Sequence, residues 1–175
     1  MLKKILLVVV ILVAGIFAVA LTKPDTFSVQ RSVNIKAAPD KIFAVLNDFK
    51  RWPEWSPWEK LDPAMQRTHS GAASGPGAVY AWKGNRDVGA GRMEIRESTA
   101  PIRVSMQLDF IEPFASRNTA DFTLAPRGDT TDVTWTMTGP SLLVSKLMQV
   151  FVSMDKMIGK DFEADLANLK ALVEK

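Results

Sequence analysis

Apolar and polar residues alternate through the middle of the chain. From Met65 to Thr138 short segments alternate apolar and polar residues, and glycines and prolines separate them at hairpin-like intervals. The clearest segment directs five apolar side chains to one face: Ile102, Val104, Met106, Leu108 and Phe110. Because successive side chains of a strand point to opposite faces, this period of two predicts strands with one covered face and one wet face. The region is therefore expected to form an antiparallel meander.

The C-terminal region is predicted to cover that sheet. After Gly139-Pro140-Ser141, apolar residues recur about every 3.6 residues from Leu143 to Val173, which is the period of a helix. Gly159 interrupts the pattern and indicates a break or a close approach. A curved sheet gripping one long helix leaves space between them, and such space is commonly a pocket. We predict an α+β fold with about six or seven antiparallel strands wrapped on a long C-terminal helix.

A strand, a short helix and a tryptophan cluster precede the meander. Residues 27–35 alternate, and Pro39 suits the first position of a helix over residues 40–46. Three of the five tryptophans then lie within seven residues: Trp52, Trp55 and Trp58. So much apolar surface behind a strand–helix unit indicates the wall or the mouth of a hydrophobic compartment.

The N-terminus carries a hydrophobic leader. Lys3-Lys4 precede seventeen uncharged residues, 5–21, which span about 25 Å as a helix. The leader is interpreted either as a membrane anchor or as a signal peptide cleaved near Ala20. An anchor is favoured because the apolar run continues to Leu21. In both cases the lysines are expected in the cytoplasm and the domain outside it. The predicted organisation is leader 1–22, linker 23–26 and domain 27–175.

Composition argues against several classes of function. The net charge of +3 is small and no clustered basic face is found, so nucleic acid is not an expected partner. The chain has no cysteine, and His69 is its only histidine. A single histidine with scattered carboxylates lacks metal-ligand spacing, and no nucleophile-elbow pattern accompanies it. We therefore assign no metal, no cofactor and no catalytic residue.

Several motifs together resemble a known family. They are the strand with Arg31-Ser32, the Ala38-Pro39 turn, Ile42-Phe43, Asp48, residues 52–58, residues 80–85, Gly89-x-Gly91, residues 133–135 and Gly159-x-Asp161-Phe162-Glu163. The chain resembles the polyketide cyclase/dehydrase and lipid-transfer superfamily (START-like, SRPBCC) over residues 27–173. This resemblance implies the helix-grip fold that the superfamily shares with the major birch-pollen allergen and steroid-transfer domains. It implies much less about activity, because the superfamily includes carriers, cyclases and regulators.

The candidate ligand-binding residues are large apolar side chains that can stack on or adapt to a hydrophobic molecule. They are Trp52, Trp55, Trp58, Tyr80, Trp82, Met93, Trp135, Phe151 and Met154. Arg31 shares a strand face with Val29 and Val33, so its side chain is expected to be semi-buried. Such an arginine can pair with a carboxylate or bind the acid group of a ligand, and structural pairing is favoured.

The first hypothesis is a non-enzymatic domain, anchored to the membrane outside the cytoplasm, that binds a small hydrophobic molecule between sheet and helix. A second is a cyclase or dehydratase acting on a polyketide-like substrate, which the resemblance implies. It needs polar groups that converge in the pocket, and the candidates are Arg31, Tyr80, Glu94 and Asp109. A third is an envelope interaction module whose exposed tryptophans meet a protein or a membrane surface. Whether the chain is an enzyme stays open.

Overall fold

The structure is a computed structural model that describes residues 1–175. Its strands are β1 (Thr26–Ile35), β2 (Gln66–Gly71), β3 (Ala78–Lys83), β4 (Ala90–Thr99), β5 (Arg103–Glu112), β6 (Ser116–Arg127) and β7 (Thr130–Pro140). Its helices are α1 (Leu2–Leu21), α2 (Pro39–Leu46), α3 (Leu143–Met148) and α4 (Met154–Val173). Two short 3-10 helices, Phe49–Glu54 and Pro57–Lys60, carry the tryptophan cluster because their prolines prevent a longer helix.

All seven strands form one antiparallel sheet in the order β1-β7-β6-β5-β4-β3-β2. The chain folds as a meander from β2 to β7, and β1 then pairs with β7 to complete the sheet. Thus the first strand lies beside the last, next to the C-terminal helix that packs on it. The predicted fold class is confirmed.

The core lies between the inner face of the sheet and the helices. Alternate residues of the strands point into it, such as Val104 and Met106 of β5 and Val133 of β7. From α4, Leu166 and Leu169 complete the core, and both are buried. This apolar burial is the main force that holds helix and sheet together.

The C-terminal region forms two helices. The break lies at residues 149–153, where the side chain of Ser153 accepts a hydrogen bond from the backbone N–H of Lys156 and caps α4. Gly159 lies inside α4 without interrupting it. It marks a close approach instead, because a Cβ there would lie 2.1 Å from Nη2 of Arg31.

The leader forms a single apolar helix, α1, that is long and hydrophobic enough to cross a membrane. Nearly all of its side chains are exposed, and only Ala20 is fully buried. The element that α1 packs against is α3. Its apolar surface therefore adds little to the core of the domain.

Candidate ligand-binding compartment

A continuous row of aromatic rings crosses the inner face of the sheet. It starts at Trp82 and Tyr80 on β3, whose ring centroids lie 6.0 Å apart. Phe49 joins it, with its centroid 6.1 Å from that of Tyr80 and 5.2 Å from that of Trp52. Trp52 and Trp55 follow at 5.0 Å. The structure thus brings four of the predicted ligand-binding residues into one row, and Phe49 links them.

The row continues to α4 through Phe122. This ring lies 6.4 Å from Trp55 and 4.9 Å from Trp135, against which it stacks. Trp135 in turn stacks on Phe162 of α4, with the two planes parallel and the centroids 3.9 Å apart. Met93 is buried opposite Tyr80 in the β3–β4 register. Aromatic side chains therefore fill the compartment between the sheet and α4.

The indole N–H groups in this row differ in their hydrogen bonding. Trp52 donates its indole N–H to the carbonyl of Leu46 at 3.3 Å, and Trp82 donates to the carbonyl of Val88 at 3.0 Å. The indole N–H groups of Trp55 and Trp135 are buried and have no partner. Buried polar groups nearly always have a hydrogen-bond partner, so these two exceptions mark the part of the row next to α4 as chemically distinct.

A buried carboxyl group, that of Asp165 on α4, lies against the tryptophan segment. Its exposed fraction is 0%, and neither oxygen has a hydrogen-bond partner. Burial raises its pKa to about 7; the side chains of Ser56 and Trp58, which lie near the carboxyl group outside hydrogen-bond geometry, oppose this rise, and the charge of Asp161 assists it. Near neutral pH this carboxyl group can therefore both donate and accept a proton.

Tyr80 does not present a free hydroxyl group to the compartment. Its phenol O–H donates to Oε1 of Glu59, whose Oε2 pairs with Nε of Arg67 at 2.6 Å. Burial and then the Glu59 carboxylate raise the pKa of Tyr80. This tyrosine is thus held protonated, and its polar end is fixed at the β2–β3 edge of the site.

Arg31 is paired with two carboxylates of α4. Its Nη1 lies 2.6 Å from Oδ1 of Asp155, and its Nε lies 2.7 Å from Oε1 of Glu163. The absence of a side chain at Gly159 lets the guanidinium cross the helix between them. The bond to Arg31 lowers the pKa of Asp155. Arg31 fastens β1 to α4, in line with the favoured structural role.

The remaining predicted ligand-binding residues lie at the border of the compartment or outside it. Met154 is half-buried and packs against the core, as does Trp82 at the outer end of the aromatic row. Trp58 is 42% exposed beside the tryptophan segment, and Phe151 is 73% exposed between α3 and α4. The structure does not bring Phe151 to the aromatic row. Contact of any of these residues with a ligand stays a prediction.

The two carboxylates predicted as candidates for acid–base chemistry, Glu94 and Asp109, are paired with arginines, as are three other carboxylates of the domain. Glu94 lies between Arg92 and Arg96, with 2.9 Å to Nη1 of Arg96. The other pairs are Glu54–Arg51, Glu59–Arg67, Asp109–Arg117 and Asp121–Arg103. Glu94, Asp109 and Asp121 lie on the outer face of the sheet, so the groups proposed for catalysis do not converge in the compartment.

Open clefts occur at the surface of the domain. One of about 590 Å³ lies where Phe27, Arg117 and Gly139 meet at one end of the sheet. Another, of about 240 Å³, lies between the first 3-10 helix and the β2–β3 hairpin, beside His69 and Phe49. No group of three or more His, Asp or Glu side chains is placed to hold a metal ion.

The sequence interpretation missed Asp165 and the linking role of Phe49. Asp165 lies three residues after Phe162 and four before Leu169, so it lies on the buried face of α4. A carboxylate within an apolar helical stripe is the signal that could have identified it. Phe49 carried no such signal, because its position depends on how the 3-10 helix packs on β3.

Solved structures share this architecture at low sequence identity. Protein CV1439 from Chromobacterium violaceum aligns with a TM-score of 0.59 and 17% identity, over 87% of this chain and 99% of that one. Protein jhp0584 from Helicobacter pylori gives 0.64 and 13%, over 87% and 90%. The di-domain ARO/CYC BexL from the BE-7585A biosynthetic pathway gives 0.64 and 13%, over 90% of this chain and 53% of that one. These similarities establish the fold. No curated protein sequence matches the chain.

The sequence itself matches one family model over nearly the whole domain. Residues 26–174 match the family described as polyketide cyclase/dehydrase and lipid transport. The chain therefore belongs to this family, and the resemblance noted from its motifs is confirmed. The family supports a hydrophobic ligand as partner, while the choice of ligand depends on the compartment of this particular chain.

Proposed function

We propose that this protein is a membrane-anchored, extracytoplasmic domain that binds a small hydrophobic molecule, a lipid or an aromatic polyketide-like compound, between the sheet and α4. The observation that carries the proposal is the pair of unpartnered indole N–H groups, Trp55 and Trp135, within a largely aromatic compartment that the Asp165 carboxyl group borders. An apolar ligand with one or two oxygen acceptors matches that arrangement. Specific sites are typically apolar walls with a few placed polar groups.

The family supports this class of ligand. Its description names both lipid transport and polyketide cyclisation, and BexL is named as an ARO/CYC protein. Both activities require a fold that accepts a hydrophobic molecule. In this chain Trp135 and Phe162 stack across the sheet–α4 boundary, so a flat ligand would enter by separating or replacing such a ring pair.

Two features of α1 support an uncleaved anchor. The helix runs without interruption through the possible cleavage site, and Ala20 is fully buried where α1 packs against the domain. A peptidase would have to release this residue from its contacts. Lys3 and Lys4 at the other end of the span favour a cytoplasmic N-terminus, which places the domain on the far side of the membrane.

Native mass spectrometry of the full-length protein, gently extracted in detergent, tests ligand binding. We expect a co-purifying hydrophobic molecule that is retained by Trp82→Phe and depleted in Trp55→Phe and Trp135→Phe. The phenylalanine variants keep an aromatic ring, but only the last two remove an unpartnered N–H group. Equal retention of the ligand by all three variants would show that it does not bind beside α4.

Labelling of a cysteine added at Ala73 tests the orientation. The native chain has no cysteine, and Ala73 is exposed in the β2–β3 hairpin. A membrane-impermeant maleimide should label this position in intact cells. Labelling that requires membrane lysis would place the domain in the cytoplasm.

Asp165 supports a second candidate function, a cyclase or dehydratase. Its buried carboxyl group, with a pKa of about 7, has the properties of a general acid or base. Under this alternative, a polyketide-like substrate bound beside α4 would exchange a proton with Asp165. Turnover of such a substrate, abolished in Asp165→Asn with binding retained, would favour the enzyme over the carrier.

A further inference from the structure

One end of the domain exposes an unusual number of large apolar side chains. They are Ile111 and Phe114 of the β5–β6 hairpin, and Leu143, Val144, Met148 and Phe151 of α3 and the turn after it. We refer to these six residues as the apolar end. Large contiguous apolar patches on a folded domain commonly mark an interaction surface.

The strand register places both groups at the same end of the sheet. Thr26, where β1 begins, pairs with Pro140, where β7 ends, so α3 follows directly from this end. The β5–β6 hairpin closes at the Phe110–Ser116 pair. Because Thr119 of β6 lies opposite Thr138 of β7, that hairpin projects beyond the same end.

The leader helix ends at this same place. Only residues 22–25 separate α1 from β1, and four residues span at most about 14 Å. The link is fixed as well as short, because the N–H of Ser141 donates to the carbonyl of Asp25 at 2.7 Å. Because α1 packs on α3, and the one buried residue of α1, Ala20, lies at its C-terminal end, we place α3 beside that end of the hydrophobic helix.

Charge is nearly absent from the α3 segment. Between Ser141 and Met154 the only charged residue is Lys146, and its Nζ pairs with Oδ1 of Asp25 at 2.5 Å. The α3 segment is thus an apolar surface that borders the hydrophobic helix, and its one charge is paired. These properties match the lipid interface, where apolar side chains enter the headgroup–acyl boundary.

We propose that the apolar end is a membrane-docking surface that lies in the outer interface of the bilayer into which α1 is inserted. This inference rests on the proposed membrane anchor and adds a second contact with the same membrane. The lipid bilayer is preferred to a second copy as the partner because the apolar end is continuous with α1. In this orientation the N-terminal end of α4 lies at the membrane, and the C-terminal end of α4 points away from it.

Depth-dependent quenching on the full-length protein tests this surface. Because the chain has no cysteine, single cysteines can be introduced as Phe114→Cys, Phe151→Cys and Val10→Cys and labelled with an environment-sensitive fluorophore. The matched control is Ile102→Cys, an exposed apolar residue in the β4–β5 hairpin. The ten residues of β5 place it about 30 Å from the apolar end. Each protein is reconstituted into vesicles of phosphatidylcholine with a minor fraction of phosphatidylglycerol.

We expect lipid-attached quenchers to quench the probes at residues 114 and 151, which should lie about 5–10 Å within the interface. Iodide should quench only the probe at Ile102. The docking proposal would be wrong if iodide quenched the probes at residues 114 and 151 as strongly as the control probe at residue 102. Quenching of the probe at residue 10 by the lipid-attached quenchers would still support the membrane anchor in that case. If Val10 is not quenched from the lipid either, both the anchor and the docking surface fail. Protection of residue 151 from both quenchers would indicate a protein partner and would also overturn the proposal.

Discussion

The polar groups on the outer face of the sheet and those on its inner side, next to α4, differ in whether they have partners. On the outer face, carboxylates such as Glu94 and Asp121 are paired with arginines. On the inner face beside α4, the indole N–H groups of Trp55 and Trp135 and the carboxyl group of Asp165 have no partner. The outer groups are satisfied by the fold itself. The inner groups have hydrogen-bonding capacity that the fold does not use, and this difference distinguishes a structural surface from a candidate binding site.

The largest expected effect tests whether α4 closes the inner compartment. Leu169 has no exposed surface and packs between α4 and the sheet. Leu169→Asp would bury an unpaired charge there, so we expect a loss of more than about 4 kcal/mol and an unfolded domain. Circular dichroism of the detergent-solubilised protein measures this loss. A cooperatively folded variant with unchanged melting would show that the helix–sheet contact is not the core. Substitution of an exposed residue of the same helix, Ala167→Asp, is the control.

A smaller and pH-dependent effect is expected at Asp165. Its folded-state pKa of about 7 is above the ordinary value of 3.8, so the folded state retains a proton that the unfolded state loses between these values. The free energy of unfolding should therefore fall as pH rises from about 4 to about 7 and then level off. Asp165→Asn should remove this fall and be more stable than the wild type at pH 8 by about 1–3 kcal/mol.

Chemical denaturation at pH 5 and pH 8 measures the effect of Asp165→Asn. The exposed Asp129 of the β6–β7 turn provides the control, as Asp129→Asn should behave like the wild type at both values. If Asp165→Asn and the wild type lose stability in parallel as pH rises, the carboxyl group is not protonated in the folded protein.

The smallest effect is expected on the outer face. Glu94→Gln removes the charge between Arg92 and Arg96 and keeps the shape of the side chain. Because partly exposed ion pairs contribute little, we expect a change of about 1 kcal/mol or less in stability and no change in the co-purifying ligand. Loss of the ligand in this variant would mean that the outer face, rather than the compartment, contributes to binding.

The sheet and α4 were predictable because their residues repeat with the periods of regular structure. Alternation along β5 and β7 predicts the inner-facing Met106 and Trp135, and helical spacing predicts Leu169 on the buried side of α4. The break before α4 was not located, because Ser153 was not interpreted as a helix cap. Gly159 was predicted to mark a break, or a close approach between the segment before it and the terminal helix; it lies inside α4, and the group that approaches it is Arg31 of β1, which is distant in sequence.

The compartment was predictable only in part. Composition identified its tryptophans, but composition does not state which indole N–H groups find carbonyl partners. Trp52 and Trp82 do, through loops that carry Leu46 and Val88. Trp55 and Trp135 do not, and that distinction follows from packing between segments far apart in the chain. Localisation depends on the leader alone, so it remains a prediction until its orientation is measured.

The indole N–H resonances of the detergent-solubilised, full-length protein test the central claim most directly. They are followed by NMR during titration with 1-tetralone, an aromatic ketone, and with 1-decanol, a lipid-like alcohol. If a ligand binds beside α4, at least one probe should shift the resonances of Trp55 and Trp135. Those of Trp52 and Trp82, already bonded to carbonyl groups, should shift less, and that of Trp82, at the far end of the aromatic row, should shift least. Uniform small shifts of all indole resonances with both probes, or no shift at Trp55 and Trp135, would contradict the account.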